Sequence, residues 1–175
     1  KQVETLQQII PDRIFGYGND TMEQVGGRIL KEKHVTLSTA ESCTGGYLAH
    51  LVTSVAGSSD YYRGSVIAYS NQVKQEFLGV KEESLNFFGA VSEQVVKEMA
   101  EGARQRLKTD FADSISGIAG PDGAKIEKPV GTVWIAVASK TGITVQKFMF
   151  GEHRGRNIRR AALAALNMLS IGLLK

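Results

Sequence analysis

Helix-type and strand-type patterns alternate along this chain, and that alternation limits the possible folds more than any other feature. Amphipathic segments are separated by short runs of β-branched and small residues, and glycines cluster where several of these runs end. Helices that alternate with strands cover a sheet on both of its faces. The sequence therefore predicts an α/β fold: a three-layer α/β/α sandwich around a mixed β-sheet with a hairpin.

The individual elements are predicted from periodicity, turn residues and helix caps. Strands are expected at residues 35–40, 65–70 and 113–118, with a hairpin formed by 132–138 and 143–150. Helices are expected after a cap at Asn19 or Asp20, after Gly45-Gly46, over 71–78, from Ser92 to about Lys108, and from about Gly155 to Leu173. Residues 1–18 predict a linker or interdomain joint, and residues 19–175 predict the folded domain.

The net positive charge of the chain comes from one segment. The net charge is +3 over 175 residues, and residues 151–160 alone hold Arg154, Arg156, Arg159 and Arg160 against one glutamate. Because the remaining acidic and basic residues balance, the chain lacks the diffuse basic face that binds nucleic acid. The cluster suits one small anion better than a duplex, so nucleic acid is not an expected partner.

The composition gives little support for a metalloprotein, a disulfide-stabilised protein or a membrane protein. A single cysteine excludes a disulfide scaffold and a cysteine-based zinc cluster. His34, His50 and His153 lack the spacing of a metal-ligand pair, and no apolar run approaches the roughly 18 residues of a membrane span. We therefore expect no metal, no cofactor and no membrane association, and a cytoplasmic location.

The segment Ser42-Cys43-Thr44-Gly45-Gly46 lies between a predicted strand and a predicted helix. Sites in open α/β sheets form beyond the carboxyl ends of strands, where a helix N-terminus offers N–H groups to an anion. Ser42 is thus a candidate nucleophile with oxyanion stabilisation beside it. Cys43 is a rival nucleophile, although no histidine lies nearby in sequence to activate it. The alternative is that Ser42 or Thr44 only caps the helix and that the glycines only form a turn.

A lysine follows the second predicted strand, in the segment that contains Tyr69, Asn71 and Lys74. A lysine acts as a general base only where burial or a nearby cation lowers its pKa. Lys74 is therefore either a base for Ser42 or an ordinary solvated lysine.

Glycines follow the third predicted strand, in the segment Gly117-Ile118-Ala119-Gly120-Pro121. Glycine lets the backbone approach a ligand closely. The spacing matches neither a P-loop nor a dinucleotide fingerprint. The segment is either a ligand loop or a plain Gly-Pro turn.

Taken together, these segments resemble the C-terminal domain family of CinA, the nicotinamide-nucleotide amidases also called NMN deamidases. The matching motifs lie in order and at family spacing over residues 20–172, at 40–46 (AESCTGG), 56–59 (AGSS), 69–74 (YSNQVK), 117–123 (GIAGPDG) and 128–133 (KPVGTV). The chain departs from the family where Gly123-Ala124 replaces a frequent Gly-Gly pair. Residues 1–18 resemble the joint that follows a larger N-terminal domain in two-domain members.

The resemblance implies hydrolysis of nicotinamide mononucleotide to nicotinic acid mononucleotide and ammonia, without a cofactor, by a homodimer or higher homo-oligomer. It implies that Ser42 is the nucleophile, that Lys74 is the general base and that Tyr69 assists this pair. The expected substrate contacts are Thr44, Gly45, Gly46, Asn71, Gly117, Ala119, Gly120 and Arg154. The competing hypothesis is a non-catalytic module that binds a nucleotide or serves as a partner in competence or DNA damage.

Overall fold

The computed structural model describes residues 18–174, and a five-stranded mixed sheet forms its centre. Its strands are β1 (Leu37–Glu41), β2 (Tyr62–Ile67), β3 (Phe111–Gly117), β4 (Thr132–Ser139) and β5 (Gly142–Met149). Their order across the sheet is β2-β1-β3-β4-β5. Strands β2, β1 and β3 are parallel, whereas β4 and β5 pair antiparallel as the predicted hairpin.

Helices cover both faces of this sheet. They are α1 (Met22–Glu32), α2 (Tyr47–Thr53), α3 (Asn71–Leu78), α4 (Glu82–Phe88), α5 (Glu93–Arg106) and α6 (Arg154–Leu174), with a short 3₁₀ turn at Ser58–Asp60. One core joins α1, α2 and α6 to one face of the sheet, and a second core joins α3 and α5 to the other. The predicted three-layer α/β/α class is confirmed.

The central strands are buried on both faces, which explains their continuous apolar and small-residue patterns. All five residues of β1 are buried. Along β3, Ile115 packs into the core under α6, while the hydroxyl of the preceding Ser114 faces α5 and donates to the carbonyl of Val96 at 2.6 Å. The two layers are therefore held by apolar contact on one face and partly by buried hydrogen bonds on the other.

Several predicted boundaries differ from those of the structure by one or more residues. Helix α1 is capped by Thr21 instead of Asn19 or Asp20, because the hydroxyl of Thr21 and the side chain of Gln24 form a reciprocal capping box. Strand β2 begins at Tyr62 and ends at Ile67, not at 65–70, since its pairing with β1 runs from Leu37–Tyr62 to Glu41–Ile67. Helix α5 ends at Arg106, two residues before the predicted end.

Helix α4 has no counterpart in the predicted elements. It presents exposed Phe87 and Phe88, which break the amphipathic pattern of this short segment. Its start is held by Glu98 of α5, which accepts hydrogen bonds from the Lys81 N–H at 2.9 Å and the Ser84 hydroxyl at 2.6 Å. The helix thus depends on a contact from a distant part of the sequence.

The linker predicted for residues 1–18 lies outside the described residues, apart from Gly18. Over residues 18–174, none of the helices combines the length and the apolar character that crossing a bilayer requires.

Candidate active site

Three loops meet at the carboxyl edge of the parallel strands, as in other open α/β sheets. They follow Glu41 of β1, Ile67 of β2 and Gly117 of β3. Backbone hydrogen bonds extend the sheet pairing past the strand ends: the Ser42 N–H donates to the Ile115 carbonyl at 3.0 Å, and the Ala68 N–H donates to the Glu41 carbonyl at 2.7 Å. The first residues of the first two loops are therefore fixed by the sheet.

Ser42 and Lys74 are in direct contact, although 32 positions separate them in the sequence. The Lys74 Nζ lies 3.1 Å from the Ser42 Oγ and donates to the Ala68 carbonyl at 2.6 Å. Helix α3 places Lys74, and the hydroxyl of Ser70 caps the start of that helix by accepting from the Val73 N–H. The structure thus brings together the two residues predicted to act as nucleophile and base.

The electrostatic surroundings of Lys74 favour its neutral form. Its side chain is 1% exposed, and burial lowers the pKa of its ammonium group from the usual value. Among residues 18–174, Lys74 forms no salt bridge with a carboxylate that would offset this effect. A neutral amine within hydrogen-bond distance of a serine hydroxyl has the geometry of a general base.

The turn after Ser42 is shaped by two glycines with positive φ. Gly45 has φ +61° and Gly46 has φ +99°, a region that glycine adopts without strain. The Gly45 N–H donates to the Ser42 carbonyl at 3.1 Å, and the Gly46 N–H donates to the Glu41 carboxylate at 3.0 Å. Both N–H groups are therefore used within the protein and are not free for an oxyanion.

Thr44 and Cys43 differ in what they offer to a substrate. Thr44 is 4% exposed, and its hydroxyl has no hydrogen-bond partner within the described residues. Cys43 is 7% exposed, and burial raises the pKa of its thiol to about 12. Because the thiolate is the reactive form, Cys43 is a poor nucleophile here.

Arg154 links two of the loops. Its guanidinium donates to the Gly120 carbonyl at 2.9 Å and to the Tyr69 hydroxyl at 3.2 Å. Tyr69 is 62% exposed, and its hydroxyl contacts Arg154 instead of Ser42 or Lys74. Two predicted loops and the arginine cluster thus come together at the first turn of α6.

Asn157 fixes the same loop and was not predicted from the sequence. It is 1% exposed, and its side-chain amide donates to the carbonyls of Ala119 at 3.0 Å and Gly151 at 2.7 Å. An asparagine three residues after Arg154 carries no sequence signal of its own, because the helical pattern alone does not show which backbone groups it meets.

Gly117 is required for close packing behind the serine turn. A Cβ at this position would lie 2.7 Å from the Cγ2 of Val133 and 3.1 Å from the Sγ of Cys43. Carbon atoms of neighbouring side chains essentially never approach to 2.7 Å, so Gly117 has a packing role.

Comparison with known proteins places this arrangement in a family. The profile of the CinA C-terminal domain matches residues 19–173. The chain belongs to this family. It is 49% identical over 169 residues to a CinA-like protein of Cytophaga hutchinsonii, which covers 97% of this chain and 40% of the relative. It is 45% identical over 165 residues to a putative competence-damage inducible protein of Moorella thermoacetica, with 94% and 40% covered. The chain thus spans about two fifths of the length of these curated relatives.

Solved structures of CinA proteins share the fold. The competence/damage inducible protein CihA from Agrobacterium tumefaciens superposes with a TM-score of 0.84 at 37% identity, covering 91% of this chain and 99% of that one. A CinA superfamily protein from Klebsiella pneumoniae gives a TM-score of 0.84 at 33% identity, covering 89% and 99%. The predicted membership of the CinA family is confirmed.

The departure of this CinA-family chain at Gly123-Ala124 is accommodated locally. Gly123 has φ +90°, whereas Ala124 is not among the residues with positive φ. The position that requires glycine therefore retains it. Asn71, another predicted substrate contact, is the exposed first residue of α3, one turn before Lys74.

From the sequence we expect no metal site. Within residues 18–174, no three histidine, cysteine or acidic side chains come together in a way that would hold a metal ion.

Proposed function

We propose that this CinA-family domain hydrolyses the amide of nicotinamide mononucleotide to nicotinic acid mononucleotide and ammonia. The observation that carries the proposal is the buried Lys74 Nζ, 3.1 Å from the Ser42 Oγ at the carboxyl edge of the sheet. The class of reaction follows from this pair, because a serine with an adjacent neutral base can attack an acyl carbon. The choice of substrate rests on the resemblance of the motifs at 40–46, 69–74 and 117–123.

In the proposed mechanism, Ser42 is the nucleophile and Lys74 carries out the proton transfers. Neutral Lys74 accepts the hydroxyl proton as the Ser42 Oγ attacks the amide carbon, and the ammonium that forms protonates the leaving nitrogen. The carbon–nitrogen bond breaks, ammonia departs and an ester to Ser42 remains. Water then attacks this ester with Lys74 again as base, which releases the carboxylate and restores the serine.

The oxyanion needs hydrogen-bond donors other than Gly45 and Gly46. Among the side chains of this turn, the buried hydroxyl of Thr44 has no hydrogen-bond partner within residues 18–174, and this supports a role for Thr44 as a donor to the substrate oxygen. A donor that meets the oxyanion contributes about 3–4 kcal/mol to transition-state stabilisation.

The phosphate is proposed to bind at Arg154. The guanidinium is held by the Gly120 carbonyl and the Tyr69 hydroxyl, and an arginine recognises phosphate oxygens with paired hydrogen bonds. In this proposal Tyr69 orients Arg154, and it takes no part in proton transfer.

The deciding experiment measures ammonia release from nicotinamide mononucleotide by the wild type and by three variants. Ser42→Ala and Lys74→Ala are each expected to lower kcat by on the order of 10³-fold or more. Cys43→Ala is the matched control and is expected to retain most of the activity, since the pKa of its thiol is about 12. Full activity in Ser42→Ala together with loss in Cys43→Ala would overturn the assignment of the nucleophile.

The competing hypothesis of a DNA partner draws on the arginine cluster. All four arginines are exposed, and Arg154 donates to the Gly120 carbonyl, which leaves Arg156, Arg159 and Arg160 for other contacts. Three exposed arginines on one helix can neutralise only a few phosphates of a duplex. We therefore favour the amidase.

A further inference from the structure

A fully buried carboxylate directly precedes the serine of the active site. Glu41 is 0% exposed, and its side chain accepts hydrogen bonds from the N–H groups of Gly46 at 3.0 Å, Leu48 at 3.0 Å and Ala49 at 2.8 Å. Within the described residues it forms no salt bridge. Three backbone N–H donors therefore fix the orientation of this buried carboxyl group.

This carboxylate closes a ring around Ser42. The side chain of residue 41 binds the backbone of residues 46 and 48, so the segment between Glu41 and Leu48 is fixed at both ends. The positive φ of Gly46 directs its N–H back toward Glu41. The turn that carries the serine is therefore held by a side chain that does not itself contact the Ser42 Oγ.

The main chain of Glu41 reaches the other half of the catalytic pair. Its carbonyl accepts from the Ala68 N–H at 2.7 Å, and the Ala68 carbonyl in turn accepts from the Lys74 Nζ at 2.6 Å. One residue thus fixes the Ser42 turn through its side chain and the Lys74 acceptor through its backbone.

We propose that Glu41 is a positioning residue that aligns the Ser42 Oγ with the Lys74 Nζ. The proposal rests on the amidase function, since it assigns Glu41 to the same reaction. Glu41→Gln keeps the size of the side chain but replaces one of the two accepting oxygens with an NH₂ group that cannot accept, and so loosens the Ser42 turn. A displacement of about 1 Å at a catalytic group costs up to about 10²-fold in rate.

The test compares Glu41→Gln with Glu98→Gln, a matched change at a carboxylate that holds the start of α4 through the Lys81 N–H and the Ser84 hydroxyl. Both variants are assayed for thermal midpoint, for kcat and KM, and for the rate at which a fluorophosphonate labels Ser42 with loss of fluoride. All rates are taken at a temperature at which each variant is folded. For Glu41→Gln we expect kcat and labelling to fall together by about 10–100-fold, with little change in KM. For Glu98→Gln we expect a lower thermal midpoint with both rates retained.

Two results would overturn the proposal: wild-type labelling and turnover in a folded Glu41→Gln variant, or an equal loss in both variants. If Glu41→Gln does not fold, Glu41→Asp keeps the charge on a shorter side chain, and unchanged labelling of Ser42 in that variant overturns the proposal. A wild type whose Ser42 is labelled but which releases no ammonia contradicts the proposed substrate alone, and the labelling rates of the variants still decide the role of Glu41.

Discussion

Lys74 has few polar neighbours, and its burial favours the neutral form that the proposed role as a base requires. Its Nζ contacts the Ser42 hydroxyl and the Ala68 carbonyl, and burial is the main cause of its lowered pKa. A lysine with the usual pKa of 10.5 is almost wholly protonated at neutral pH and cannot accept a proton. In the proposed mechanism, the burial of Lys74 in the helical layer of α3 and α5 is therefore part of the chemistry.

The pH dependence of catalysis is expected to report the pKa of Lys74. Because the neutral amine is the active form, kcat/KM should rise with pH, with a midpoint below 10.5. The measurement is a pH–rate profile for ammonia release. Lys74→Arg is the control, because it keeps a cation at this position but removes the group whose deprotonation causes the rise in kcat/KM. A midpoint at or above 10.5 would show that Lys74 is not the base.

Arg154 is expected to determine the affinity for the phosphate. Arg154→Gln should raise KM for nicotinamide mononucleotide by about 10–100-fold, since a hydrogen bond to a charged group contributes about 1.5–3 kcal/mol. The same change should leave turnover of nicotinamide riboside, which lacks the phosphate, nearly unaltered. Arg156→Gln, at an exposed arginine one half-turn away, is the matched control. Equal increases in KM in both variants would show that Arg154 has no specific role in binding the phosphate.

At the scale of residues, the sequence was informative where a chemical type stands out in a motif. Ser42 and Lys74 could be paired because each follows a predicted strand and because both lie in motifs that resemble the CinA family, and Arg154 belongs to a visible charge cluster. Glu41 could not be identified, since a glutamate beside a motif has the same appearance whether it faces solvent or three backbone donors. Tyr69 was expected beside the catalytic pair, but the position of its hydroxyl depends on α6, which lies 85 residues further along the chain.

At the scale of elements, one glycine sets the distance between α5 and α3. A Cβ on Gly102 of α5 would lie 1.8 Å from the carbonyl oxygen of Leu78, the last residue of α3. Any larger residue therefore displaces the helix that carries Lys74. The close approach of these two helices is a condition for the burial of Lys74.

Gly102→Ala is expected to lower the free energy of unfolding by about 3 kcal/mol or more, because the clash is with backbone and cannot be relieved by a rotamer change. Gly172→Ala in α6 is the matched control, since a Cβ added to Gly172 would have no neighbouring atom within 4 Å. It should be neutral or stabilising by about 0.5 kcal/mol. Urea unfolding of both variants measures the difference, and a similar stability for both would contradict this account of the packing.

Elements with strong local signals were predictable, and those that depend on distant contacts were not. The amphipathic pattern and Ser92 cap of α5 identified that helix, and the turn at 140–142 identified the hairpin. The start of β2 was misplaced because its pairing with β1 begins at Tyr62, a register that only the neighbouring strand defines. Helix α4 was missed for the same reason, since Glu98 of α5 holds its start.

At the scale of the whole molecule, Asp113 couples stability to pH. It is 0% exposed on β3, both of its carboxyl oxygens lack partners within residues 18–174, and burial, followed by the charge of Glu41, raises its pKa well above 3.8. The folded protein therefore keeps a proton that the unfolded chain releases above pH 3.8. Stability contributed by this group falls as the pH rises from 3.8 toward the folded-state pKa.

Asp113→Asn is expected to raise Tm at neutral pH by a few degrees, the shift that roughly 1 kcal/mol produces in a domain of this size. The gain should disappear below pH 3.8, where the wild-type carboxyl is protonated in both states. Asp110→Asn is a control of opposite sign, because hydrogen bonds from Thr36 lower the pKa of Asp110 and so stabilise the fold above pH 3.8. Thermal unfolding of the three proteins at both pH values gives the comparison. A pH-independent difference for Asp113→Asn would refute the coupling.

The position of Arg154 on the last helix has a consequence for the newly synthesised chain. The Ser42 turn, Lys74 and the Gly120 loop all precede Arg154 in the sequence, so a ribosome exposes them first. The guanidinium that joins Tyr69 to Gly120 reaches them only when α6 packs on α1 and α2. Nascent chains that end before residue 154 thus contain Ser42 and Lys74 without the arginine that joins the Tyr69 and Gly120 loops.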